Sequence, residues 1–181
     1  MDDIAKELSV SKKTIYQEFK DKTELILLIT KRQMDFYLSL FDQVEDKGKN
    51  ALHELYLFSR VLRKNLEEMS PNLLYDMQKY HLEAWELFKN YKDEHFHSQL
   101  VRVLKKGVEE GVFRPEIKPE ILAILRMKEA ELCFDHTVYP NTKFDYKEVQ
   151  IEVLDHFVMG LLTDQGRELW NQYNNNTDST L

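Results

Sequence analysis

Apolar residues recur at helical spacing along almost the whole chain, and no stretch alternates long enough to predict a strand. Ile4, Ala5 and Leu8 form a first short stripe. Ser9-Val10 turns the chain, and Ser11 stands where an N-cap belongs, ahead of a second stripe of Ile15, Tyr16 and Phe19. Asp21-Lys-Thr-Glu24 is a capping box. It opens a long helix to about Asp46, buried along Leu25, Ile26, Leu28, Ile29, Phe36, Leu40 and Val44. Gly48 and Asn50 mark its end, and a further helix is predicted from Asn50 to Met69. Ser70-Pro71 reads as an N-cap followed by Pro at the first helical position, starting one helix to about Asn90. Asp93 is expected to cap the next helix, which Gly111 ends. Pro115 and Pro119 bracket a connector. Helices are then predicted from Pro119 to His136, from Asp145 to Thr163 and from Gly166 to Tyr173, with Tyr139-Pro140-Asn141 as a loop. The fold class is all-α, with no internal repeat.

Two short helices joined by a tight turn are a helix-turn-helix, whose second helix enters the DNA major groove. The opening run, MDDIAKELSVSKKTIYQEFKDKTEL, resembles the DNA-binding half of the TetR family of bacterial repressors, and SKKTIYQEFKDK carries most of the likeness. The later runs EEGVFRPEIKPEI and HFVMGLLTDQGRELW are also similar to family segments. The resemblance implies a helix-turn-helix DNA-binding segment followed by an α-helical ligand-binding and dimerisation domain. The expected divisions are 1–24, 25–173 and a disordered tail over 174–181. In the family a further helix precedes this point and covers the apolar side of the other two. Met1 here takes a normally internal place, so the DNA-binding domain is expected to be incomplete, through truncation or a start assigned at an internal Met.

A major-groove reader needs short polar or amide side chains for base edges and cations or hydroxyls for phosphates. Thr14 and Gln17 are the expected base readers, with Lys13 serving either role. By resemblance, Lys12, Tyr16 and Lys22 are the phosphate contacts, and Ser11 is expected to cap its helix and touch phosphate together. The partner implied is a double-stranded DNA operator with palindromic half-sites.

Beyond the reading head, the resemblance implies a small-molecule effector held among the middle helices. Tyr56, Met77, Tyr80, His81, Trp85, Phe88, Arg126, Glu129 and His136 are the candidate lining, with aromatic and Met walls and ionisable groups to orient a polar ligand. The last two long helices are apolar over more than one face, which points to a homodimer. Ile121, Leu125, Leu132, Val153, Phe157 and Leu161 are the expected interface.

Composition narrows this picture. The five lysines and five acids of residues 1–22 cancel, so the net charge of −7 falls on the remainder. A neutral head with lysines around its second helix, on an acidic body, suits a sequence-specific reader rather than a general DNA coat. A single cysteine, no signal peptide and no apolar run of membrane-spanning length predict a cytoplasmic protein with no membrane partner. Glu94-His95-Phe96-His97 holds one ExxH spacing, whereas a carboxylate-bridged metal bundle needs two. No catalytic motif is found, and no enzyme activity, metal or cofactor is expected. The competing class is a helical ligand-binding or adaptor module without DNA-binding activity.

Overall fold

The computed structural model describes residues 1–68, 73–140 and 142–175. It is built of helices: α1 (Asp2–Glu7), α2 (Lys12–Glu18), α3 (Lys22–Lys47), α4 (Ala51–Glu68), α5 (Leu73–Tyr80), α6 (Leu82–Tyr91), α7 (His97–Glu109), α8 (Pro119–Leu132), α9 (Tyr146–Leu161) and α10 (Asp164–Asn175). Among the described residues the one strand-like pairing is an isolated bridge between Phe113 and Leu162.

The body is organised around α4, which packs against α3, α7, α9 and α10. That central position explains its broad apolar surface. Ala51, Leu52, Tyr56 and Leu57 join Leu104, Phe113, Phe157, Val158, Leu161 and Trp170 in one core. Tyr56 meets Trp170 edge-on at 5.8 Å, and Asn50 donates to the Tyr173 hydroxyl at 2.9 Å, so α10 is clamped onto the start of α4. Gly111 ends the α7 region at a φ of +74°, where a side chain would be strained. At Gly107 an added Cβ would fall 2.0 Å from the Phe113 ring, so only glycine lets the connector fold back under α7. Arg114 N–H then donates to Leu161 at 2.8 Å, and Thr163 N–H to Val112 at 3.1 Å.

The cap predicted at Asp21 is present, accepting the Glu24 N–H. Asp145, expected only as the start of its helix, also caps it, accepting the Lys147 N–H at 2.7 Å. Four expectations need correction. Leu28, Ile29 and Phe36, expected on the buried side of α3, are exposed. The helix expected over 70–90 is two helices, because His81 leaves the helical region at φ −136° and ψ 61°; its proposed Ser70-Pro71 cap lies outside the described residues. Asp93 is not a cap. The chain continues from α6 through a π-helical turn, Lys92–Phe96, directly into α7, with helical dihedrals on both sides. This wider turn sets Phe96 against Tyr37 and Phe41, and turns Lys92 inward to Glu131. Finally, α8 stops at Leu132 rather than near His136. The Asp135 carboxylate accepts from the Thr137 N–H and hydroxyl, a local alternative to continued helix. At the far end, α10 runs to Asn175, and the rest of the predicted tail is outside the described residues, as is Asn141 of the predicted loop.

Candidate functional site

The reading head is assembled by short-range bonds. Ser9 takes a left-handed φ of 53°, and the Val10 N–H returns to the Ala5 carbonyl at 2.9 Å, which makes the tight turn. Ser11 Oγ accepts the Thr14 N–H at 3.0 Å, so the cap is formed. Ile15 is buried beneath α2 while Lys12, Lys13, Thr14, Tyr16 and Gln17 are exposed. Lys22 is exposed as the first residue of α3, where uncapped N–H groups and the helix dipole favour an anion. Asp21 and Glu24 fix this corner reciprocally, since Glu24 Oε2 accepts the Lys20 N–H at 2.6 Å. Lys12 Nζ is 2.9 Å from Asp2 Oδ2, and this bond raises the lysine's pKa and lowers that of the carboxyl. Leu8 (63% exposed) and Val10 (40%) leave an apolar side of the head uncovered by any described residue.

In the body, α3, α4, α5, α6, α7, α8 and α9 enclose a cavity of about 650 Å³. Met77, His81, Phe88 and Arg126 stand on its wall. The other candidates are placed elsewhere. Tyr56 is packed in the core beside Trp170 and Tyr173. Tyr80 is exposed, and Trp85 packs beside Phe88 on α6. His136 lies against Tyr75. Glu129 faces a smaller outer recess with Leu132, Tyr139, Glu152, Val153 and His156.

Charge on the cavity wall is mostly paired. Glu54, fully buried, holds Arg102 at 2.9 Å and Lys106 at 2.5 Å. Lys92 pairs with Glu131 and Asp93. Arg126 differs: it is buried, its Nη1 has no hydrogen-bond partner, and its guanidinium carbon lies 5.9 Å from the centre of the Phe157 ring. Burial lowers its pKa against the opposing pull of Glu129 and Cys133. His81 Nδ1, also on this wall, is likewise buried and unpartnered. Among the described residues no cluster of three or more His, Cys, Asp or Glu is placed to hold a metal ion, and no helix is long and apolar enough to cross a membrane.

The expected interface residues divide into two sets. Ile121, Leu125 and Leu132 are exposed on α8, and Val153 is half-buried on α9. Phe157 and Leu161, at 6% and 1% exposure, belong to the protomer's own core, so neither is available to a partner surface in this structure. The reason is that α9 packs on both α4 and α8, which takes up much of its apolar circumference. Ile124 and Met159 are exposed in their stead.

The profile of bacterial regulatory proteins of the tetR family matches residues 1–29. That segment holds α1, the turn, α2 and the start of α3. By it the first 29 residues match the tetR-family DNA-binding segment. An HTH-type transcriptional regulator of Staphylococcus aureus strain USA300 is 39% identical over 46 residues, a quarter of each chain. The same match recurs in the regulator of strain NCTC 8325. The chain therefore aligns with only about a quarter of the length of these curated relatives. Among solved structures, the ketosteroid transcriptional regulator KstR2 of Mycobacterium tuberculosis aligns at a TM-score of 0.60 and 17% identity, covering 90% of this chain and 84% of that one. The transcriptional regulator FadR of Bacillus subtilis, solved with stearoyl-CoA, aligns at 0.57 and 19%, covering 87% and 86%. Likeness at this identity establishes the fold: a helix-turn-helix joined to a helical body.

Several polar cavity residues had no conspicuous signal in the sequence. Thr30 and Gln33 lie on the inward side of α3 among Ile26, Met34 and Tyr37. Gln150 reaches the wall from α9 and donates to the Ala130 carbonyl at 3.0 Å. Thr30 and Gln33 are three apart, as cavity-facing neighbours on one helix must be, which was the available clue. Lys92 had none, because its inward direction depends on the π-helical turn.

Proposed function

We propose that this chain is a ligand-responsive transcriptional regulator, a repressor that binds a palindromic DNA operator as a homodimer. The observation that carries the reading is α2: a capped helix with its apolar residue inward and Lys13, Thr14, Tyr16 and Gln17 presented outward together. The cavity supplies an effector site, and the exposed apolar residues of α8 and α9 supply a surface for a second copy. The relatives support the same class, since the FadR neighbour was solved with stearoyl-CoA. An effector acts here only by binding two states of the dimer unequally. No catalytic role is part of this reading, and such a regulator works in the cytoplasm.

The test is selection from a random duplex library, using protein expressed from the full open reading frame. Enrichment of a palindrome with half-sites about 34–36 Å apart, or a multiple of that spacing, is expected. Failure to enrich any sequence would overturn the reading. The exposure of Leu8 and Val10 favours a second one, a helical ligand-binding module without DNA-binding activity, because an uncovered head holds α2 less firmly against α3. Ligand binding without sequence enrichment would select it.

A further inference from the structure

We propose that the cavity ligand is a long-chain carboxylate whose head group is received by Arg126. This rests on the reading of the cavity as an effector site and names the chemistry that fits it.

Shape comes first. The wall follows α3 from Ile26 to Val44, roughly 27 Å of helix at 1.5 Å per residue. A space extended along a helix suits an extended chain better than a compact ring system. Its surfaces are chiefly apolar, with Tyr37, Phe41, Phe58 and Phe96 from three helical segments meeting edge-on and stacked at 5.0–6.5 Å. Such walls give apolar surface without directional demands, as an alkyl chain requires.

Charge comes second. Three other basic side chains lie at or beside this wall, and each is matched within the protein: Arg102 and Lys106 by Glu54, and Lys92 by Glu131. Arg126 forms no ion pair among the described residues, is 8% exposed, lines the cavity, and keeps a buried Nη1 without a hydrogen-bond partner. Glu129, one turn along α8, lines the outer recess and pulls on Arg126 electrostatically without forming an ion pair, and its Oε2 is buried and unpartnered as well. A buried guanidinium with an unused donor is costly, and an anion arriving from the cavity would relieve that cost. The guanidinium fork matches a planar carboxylate. A phosphate monoester, with about two charges and three acceptor oxygens, would call for more free donors than this wall offers. A neutral ligand would leave the guanidinium as it stands.

The experiment is calorimetric titration of the full chain with three probes: hexadecanoic acid, its methyl ester and its coenzyme A thioester. The free acid is expected to bind at least tenfold more tightly than the ester, about 1.4 kcal/mol. In Arg126→Met the acid and the ester should bind alike. That variant replaces a buried unpaired charge with an apolar chain of similar length, so thermal unfolding should show a protein at least as stable as the parent. Ala130→Trp, which projects bulk into the same space, should abolish binding of the acid. Equal binding of acid and ester by the parent overturns the proposal. So does a thioester that binds more tightly than the acid and is indifferent to Arg126→Met, since the thioester has no free carboxylate at the chain end. The titration uses no DNA, so a failed operator selection leaves its outcome intact.

Discussion

Lys12 stands on the recognition helix, but its charge is engaged by Asp2 at 2.9 Å. The pair is exposed on both sides, so water and salt screen it and either partner exchanges easily. If α2 meets phosphates as proposed, Asp2 competes with DNA for that ammonium. Asp2→Asn should therefore tighten binding to any duplex and steepen the fall of log K with log salt by up to about one unit. Gln17→Ala should leave the slope alone and alter which sequence is preferred, since a base-edge amide releases no counterions. Fluorescence anisotropy over a salt series measures both. An unchanged slope in Asp2→Asn would place Lys12 away from the phosphates. A Gln17→Ala variant that scales every sequence equally would remove Gln17 from the base readers.

At the scale of elements, α8 and α9 separate two roles that look identical in sequence. Helical periodicity marks Ile121, Leu125, Phe157 and Leu161 alike as apolar positions, but it cannot tell which apolar side faces the same protomer. The structure makes the division: Ile121 (59% exposed) and Leu125 (47%) point outward, while Phe157 and Leu161 fill the core. Ile121→Glu and Leu125→Glu are expected to shift the proposed dimer toward monomer in sedimentation velocity while the helical circular dichroism is kept. Phe157→Ala should instead cost about 3–5 kcal/mol of folding stability in urea melts, as a large core truncation does. Dimer loss by Phe157→Ala with unchanged stability would contradict this division. The same contrast explains what was legible beforehand. The caps at Ser11 and Asp21 were readable because side chain and backbone lie within three residues of each other. The helical fold class and the reading head followed from the same local signals. The break at His81 carries no Gly, Pro or usual cap residue, and at the π-helical turn Lys92–Phe96 the one cap-type residue, Asp93, signals a helix start that does not occur; that turn is held by partners such as Glu131, Tyr37 and Phe41 from distant sequence. For the same reason Arg126 was recognisable as a candidate, whereas the placement of Tyr56 in the core and Tyr80 in solvent depended on packing between helices.

Across the whole molecule, α3 joins the two proposed activities. It begins at the capping box immediately after α2, and its inward side then forms the cavity wall from Ile26 to Val44. On the opposite side, Arg126 lies near Phe157, so the proposed carboxylate position borders the α8–α9 pair. A ligand that spreads α3 from α8 would alter the angle of each reading head and the geometry of the surface proposed to join two copies. Thermodynamic linkage makes this quantitative. If saturating hexadecanoate weakens operator binding by some factor, operator DNA must weaken hexadecanoate binding by the same factor, typically about 5–150-fold for coupled sites. Anisotropy with labelled operator and calorimetry with protein preloaded on DNA give the two numbers independently. In Ala130→Trp, operator affinity should become insensitive to hexadecanoate, because the cavity can no longer take it. Operator affinity that still falls in this variant would place the responsive site outside the cavity. Unequal factors in the two directions would show that the ligand-bound and DNA-bound forms are not connected by a single equilibrium.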